Sequence, residues 1–155
     1  MHHTRRSVLK GVSAFGVLAT AVAAGLLSPV HALAAWNKGA FEAKSTLDAM
    51  RALGVSNAED SKDIQLLAPD IAENSAVVLI EITSNIPGTT SISVFIEKNP
   101  FPYTGTFDFS QGALPFVKLH VKMGESSPVR VVAAAGGKYY TTAKEVKVTI
   151  GGCGG

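Results

Sequence analysis

The strongest constraint on this chain is the alternation of apolar and polar residues at period two. Val117, Leu119, Val121 and Met123 interleave with Lys118, His120 and Lys122, and Val146, Val148 and Ile150 interleave with Lys147 and Thr149. Successive side chains of a strand point to opposite faces, so each run describes a strand with one buried and one wet face. Ser91 to Lys98 repeats the pattern through Ile92, Val94 and Ile96, and Ser75 to Thr83 precedes it with Val77, Val78, Leu79, Ile80 and Ile82. Asn85-Ile86-Pro87-Gly88 punctuates those two runs, and Gly136-Gly137 marks a tight turn between Val129 to Ala135 and Lys138 to Thr142. Asn99-Pro100-Phe101-Pro102-Tyr103 reads as a surface loop, because neither proline can donate to a strand ladder. The count is about six to eight strands at the spacing of an antiparallel sandwich, without the helices a parallel sheet would require between strands.

A different period precedes the strands. Ala43, Leu47, Met50 and Leu53 recur at helical spacing, Asn37 can cap the start, and Gly54 can supply a left-handed residue at the end. One amphipathic helix of about four turns is expected, with Trp36 as its packing anchor. Ser56 to Asp63 is polar and reads as a loop, while Ile64 to Ile71, broken by Pro69, reads as an edge segment. The expected fold is mainly β, an immunoglobulin-like antiparallel sandwich carrying an N-terminal helix. Two of its strands are apolar on both faces: Val77 and Leu79 oppose Val78, Ile80 and Ile82, and Phe95 opposes Ile92, Val94 and Ile96. Either the helix or a bound partner subunit must cover the second face.

The two ends of the chain set compartment and chemistry. Thr4-Arg5-Arg6-Ser7-Val8-Leu9-Lys10 leads into a weakly polar stretch from Gly11 to Leu27, and Ala32-Leu33-Ala34 offers the small residues of a cleavage site. This is the pattern of a twin-arginine export signal over residues 1–34, cleaved to start the mature chain at Ala35 in the periplasm. An uncleaved membrane anchor is the competing reading, disfavoured by a short apolar region rich in Ala and Gly. Removing 34 of 155 residues leaves 121, enough for one ordinary core at 35–150. Arg5, Arg6 and Lys10 leave with the signal, so 14 basic and 12 acidic side chains become 11 and 12, a formal charge of −1. Composition therefore makes no case for nucleic acid or an anionic membrane as a partner.

At the other end, Gly151-Gly152-Cys153-Gly154-Gly155 holds the only cysteine. Glycine tolerates positive φ and offers no side chain, so residues 151–155 are expected to form a flexible arm. An extended chain would place Cys153 about 10 Å beyond Ile150. After signal removal His120 is the only histidine, so neither a cluster of metal ligands nor a CxxC pair can be assembled, and no cofactor is expected. His120, between Lys118 and Lys122, reads as solvated. No catalytic residue is assigned, since a nucleophile on an arm has no fixed base beside it. What remains is carriage: a thiol with a reference pKa of about 8.5 is available as thiolate in small fraction, and Gly151, Gly152, Gly154 and Gly155 let it thread a narrow channel.

These residues resemble the SoxY family, sulfur-carrier subunits of the periplasmic thiosulfate-oxidising (Sox) system. The C-terminal GGCGG, preceded by Val146 to Ile150, is its signature, and Ala68 to Asn74, Glu97 to Pro100 and Lys122-Met123-Gly124 are similar to it as well. One departure is Ser75, where the family pattern has glycine after Glu-Asn. The resemblance implies that Cys153 is the attachment point and that a second sandwich subunit, SoxZ, binds as a heterodimer and covers the doubled apolar face. It further implies transient visits to haem-containing SoxAX, to the hydrolase SoxB and, where present, to the sulfane dehydrogenase SoxCD, with S-thiosulfonate, persulfide and S-sulfonate intermediates held on the arm.

Three other readings of the residues stand beside it. An exported structural or adhesive sandwich could form an intermolecular disulfide through Cys153. A Gly-Gly sulfur carrier activated at Gly155 would need a nucleotide-dependent enzyme, which export would deny it. An independent cysteine enzyme would lack a placed base.

Overall fold

The computed structural model describes residues 37–149. Residues 1–34 and 151–155, with their signal and arm expectations, and the predicted anchor Trp36 lie outside the described residues. Among the described residues nine strands form two sheets in a sandwich, in keeping with the mainly β, immunoglobulin-like architecture expected.

The larger sheet runs in the order β1 (Ala58–Asp60), β9 (Lys138–Val148), β8 (Ser127–Ala135), β5 (Thr89–Ile96), β6 (Tyr103–Asp108), and β3 (Ile71–Ala72) also pairs with β9. The smaller sheet is β2 (Ile64–Leu67), β4 (Val78–Ser84) and β7 (Phe116–Val121). Pairing is antiparallel except along the outer edge of β9, where β1 aligns with Tyr139–Thr141 and β3 with Lys147–Val148, both parallel. Between them the chain crosses to the other sheet as β2 and returns. The edge of β9 is thereby covered near both of its ends, which shortens the open ladder. Gly136 and Gly137 both adopt positive φ, +56° and +75°, as a two-residue hairpin turn between β8 and β9 requires.

Alternation builds the core. Ile80 and Ile82 of β4, Ile92, Val94 and Ile96 of β5, Val129 and Val131 of β8 and Val146 of β9 are completely buried between the sheets, with Met123 beside them. Each such side chain contributes about 1.5–3 kcal/mol on leaving water.

The expected single helix is two. Helix α1 spans Lys38–Glu42 and α2 spans Thr46–Ala52, with Ala43 extended at ψ 137° between them. The break has a local cause: the Ser45 hydroxyl accepts from the Asp48 amide at 3.1 Å and donates to its carboxylate at 2.7 Å, capping a new helix. Asn37 caps α1 as expected, accepting from the Ala40 amide, while its own amide donates to the Ala52 carbonyl at 2.7 Å. One side chain thus ties the start of α1 to the end of α2. Gly54 follows with φ +78°. Because the break resets the helical phase, Leu47 is exposed and the small Ala40 and Ala49 are buried instead.

Three other expectations change. The polar stretch from Ser56 contains β1, held by backbone pairing with β9 that its side chains do not announce. Pro102 and Tyr103 are buried, unlike the surface loop expected there: the Pro102 carbonyl accepts from the Ile96 amide, and Tyr103 opens β6. The two segments predicted for Lys138–Thr142 and Val146–Ile150 form one strand, β9, through Val148.

Candidate functional site

The site expected from the sequence is a thiol at the C-terminus, so the part of the fold that matters is where β9 ends. Alternation carries β9 out of the core: Val146 is buried, Lys147 exposed, Val148 half-buried and Thr149 exposed. This end is fastened on two sides. The Lys147 amide donates to the Asp70 carbonyl at 3.0 Å and the Thr149 amide to the Ala72 carbonyl at 3.3 Å, while the Thr149 hydroxyl donates to the Glu73 carbonyl. On the other side the Val148 amide donates to the Ser126 hydroxyl at 2.9 Å. Lys144 adds a bond to the Ala68 carbonyl and an ion pair with Asp70 at 3.0 Å.

The loops around this base brace one another. Asn99 donates to the Lys122 carbonyl at 2.8 Å and accepts from the Gly124 amide at 2.9 Å. The Met123 amide donates to the Ser75 carbonyl, and the Lys98 amide to the Ser127 hydroxyl. Three segments far apart in sequence, Ala68 to Asn74, Glu97 to Pro100 and Lys122 to Gly124, therefore meet at the end of the sandwich from which β9 emerges. Ser75 is buried there, and no non-glycine residue among those described has positive φ, so the serine sits in backbone geometry that needs no glycine.

Cys153 and Gly151, Gly152, Gly154 and Gly155 follow Thr149 outside the described residues. Cys153 is the fourth residue after Thr149, which limits their Cα separation to about 14 Å. His120 is exposed on the outer face of β7, directly across from Leu79. Among the described residues no three His, Asp or Glu side chains gather as a metal site would require, and no helix is long and apolar enough to cross a membrane. Sequence reasoning does not single out the bracing role of Asn99 or Ser126; an asparagine beside prolines, in a loop, is the available signal for the first.

Residues 49–153 match the family described as sulfur oxidation protein SoxY. The chain belongs to the SoxY family. Among solved structures it is similar to the sulfur carrier protein SoxY from Chlorobium limicola f thiosulfatophilum, with 40% identity and a TM-score of 0.60 over 67% of this chain and 96% of that chain. A superoxide reductase (neelaredoxin) from Ignicoccus hospitalis also matches, at 17% identity and a TM-score of 0.49 over 56% of this chain and 79% of that chain, too distant to bear on function. No curated protein matches. SoxY membership assigns the chain to sulfur oxidation, and the segments brought together at the base of β9 all fall within the matched span.

Proposed function

We propose that the chain is a covalent sulfur carrier, itself not an enzyme, in which Cys153 holds the substrate on a swinging GGCGG arm. In this reading residues 1–34 direct export to the periplasm by the twin-arginine route and are removed, 35–150 form the body, and 151–155 form the arm. The observation that carries it is that the SoxY match runs to residue 153, the position of the only cysteine. The braced end of β9 supports it too, because an arm that must enter other proteins needs a fixed root.

The chemistry balances with partner enzymes as agents. Coupling the Cys153 thiolate to thiosulfate forms a sulfur–sulfur bond and releases two electrons, which a haem protein of the SoxAX type accepts. Hydrolysis by a SoxB-type enzyme breaks the S–SO3 bond, water supplies the oxygen of sulfate, and the persulfide keeps the electron pair. Where a SoxCD-type dehydrogenase is present, three waters and the loss of six electrons convert persulfide to S-sulfonate, and a second hydrolysis returns the thiol. The body pairs with a SoxZ-type subunit.

The test is the intact mass of the exported mature protein, with and without a thiol reductant, after incubation with thiosulfate and its oxidising partners. Reductant-labile thiosulfonate or added sulfur on Cys153 is expected, absent in Cys153→Ser although that variant folds normally. Gly152→Val should keep the thiol and slow its modification. A bare thiol throughout, or a plain disulfide dimer as the working form, would favour a structural module instead.

A further inference from the structure

Burial lets go of β9 before the strand ends. Val146 is its last completely buried side chain; Val148 is half-buried, and Lys147 and Thr149 are exposed. Hydrogen bonds hold what burial does not, and on both edges the backbone ladder stops short. On one edge β8 begins at Ser127, whose partner is Val146, so the position opposite Val148 falls before β8 starts. The Ser126 hydroxyl stands in for a ladder carbonyl there and accepts from the Val148 amide at 2.9 Å. On the other edge β3 ends at Ala72. The chain then turns away toward β4: the Asn74 side chain accepts from the Ala76 amide at 3.0 Å, and the Asn74 carbonyl accepts from the Val77 amide at 3.3 Å. Just before that turn the Thr149 hydroxyl donates to the Glu73 carbonyl at 3.3 Å, one residue past the Ala72 carbonyl that takes the Thr149 amide.

Each edge therefore closes on one side-chain hydroxyl, and the two act on the last two residues before the cysteine segment. Ser126 is half-buried and Thr149 exposed, so neither supports the core. A hydrogen bond in such a place shifts a local open and closed balance on the order of five-fold. With both bonds the strand is fixed through Thr149. Without them its secure end retreats to Lys147, whose amide the Asp70 carbonyl still holds at 3.0 Å. The path to Cys153 then grows from four residues after Thr149 to six after Lys147.

We infer that Ser126 and Thr149 are positioning residues that set the pivot of the arm at Thr149 and so fix its working length. The inference rests on the proposed carrier reading and adds a dimension of the partner to it. An enzyme that rests on this end of the sandwich holds its reacting centre at a depth matched to four extended residues, roughly 14 Å. A longer tether dilutes the thiol at that depth. Effective concentration falls as about the −3/2 power of length for a flexible chain, so six residues in place of four cost about two-fold.

The test uses the full mature chain co-purified with its SoxZ subunit and reads the rate at which a haem protein of the SoxAX type couples thiosulfate to Cys153. Ser126→Ala combined with Thr149→Val should lower kcat/KM about two-fold and speed amide exchange at Val148 and Thr149 about five-fold or more. Global stability and the reaction of Cys153 with a small aromatic disulfide should stay as in the wild type. Ser126→Thr with Thr149→Ser keeps both hydroxyls and should restore the enzymatic rate. Two glycines inserted after Ile150 lengthen the arm with both hydroxyls in place and should reproduce the loss. A double variant without faster exchange, or one modified at the wild-type rate, would overturn the inference while the carrier reading stands, as would an insertion without effect. An equal loss with the small disulfide would also overturn it, by placing the effect in the thiol's own reactivity. A wild-type Cys153 that takes up no sulfur from thiosulfate would overturn the carrier reading itself.

Discussion

The two outer faces of the sandwich begin from the same sequence signal and end differently. Phe95 on β5 and Leu79 on β4 are both apolar residues on the face opposite their strand's core side chains. Phe95 is completely buried: α1 and α2 lie over it, and Ala40, Ala49, Val55, Tyr103 and Val132 complete a second small core. Its ring lies 5.6 Å from that of Tyr103, which in turn lies 4.6 Å from Phe41. Leu79 and Leu67 have no such cover among the described residues. Doubled apolarity therefore marks a face that calls for cover: on the β5 side α1 and α2 supply it, and on the β4 side none of the described residues does.

The sharpest way to break the covered side is Phe95→Ala. It empties a site closed by two helices and a sheet, and should destabilise the isolated chain by about 3–5 kcal/mol, read from denaturant unfolding. A loss under about 1 kcal/mol would mean that the helices are not a fixed part of the fold.

Asn99→Ala comes next and bears on the end where the arm begins. It removes a donor to the Lys122 carbonyl and an acceptor for the Gly124 amide, neither fully buried. A cost of about 1–3 kcal/mol is expected, with faster amide exchange at Gly124 and around Met123. Unchanged exchange at both would show that the loops hold their places without it.

How much of this is legible in the sequence follows from what kind of interaction fixes each part. The strands rich in alternating Val and Ile are legible because burial imposes period two directly, and the Gly136-Gly137 turn because its backbone demands positive φ. The helix break is hidden because Ser45 and Asp48 carry a start signal inside a periodic run, and the cap outweighs the periodicity that Leu47 completes. Strand β1 is invisible because its hold is backbone pairing to β9, independent of its own side chains. Of the candidate site, Cys153 and its glycines are legible as a motif. The gathering of Ala68 to Asn74, Glu97 to Pro100 and Lys122 to Gly124 around β9's end is not, since no local pattern encodes a meeting of three loops.

Ser45→Ala probes the cover more gently. Loss of the cap on α2 should cost about 1 kcal/mol, and the loosening should be confined to the helices: the exposure of Phe95 and Tyr103 to solvent quenching or exchange rises while the inter-sheet core around Ile80 and Val131 stays protected. Equal loosening of both cores would show that helices and sandwich unfold as one unit.

The smallest effect is expected on the bare face. Leu67 is 64% exposed and its Cα partner across the strands is Glu81, so Leu67→Lys removes little buried surface and adds a weak exposed ion pair. The lone chain's stability should change by no more than about 0.5 kcal/mol. That indifference is the counterpart of Phe95→Ala: if only the β5 side is covered within the chain, a large cost appears on that side and almost none on the other. A destabilisation of the lone chain by Leu67→Lys of about 2 kcal/mol or more, on the order of a core substitution, would mean that the chain itself already shelters this face, and the two sides would no longer differ in kind.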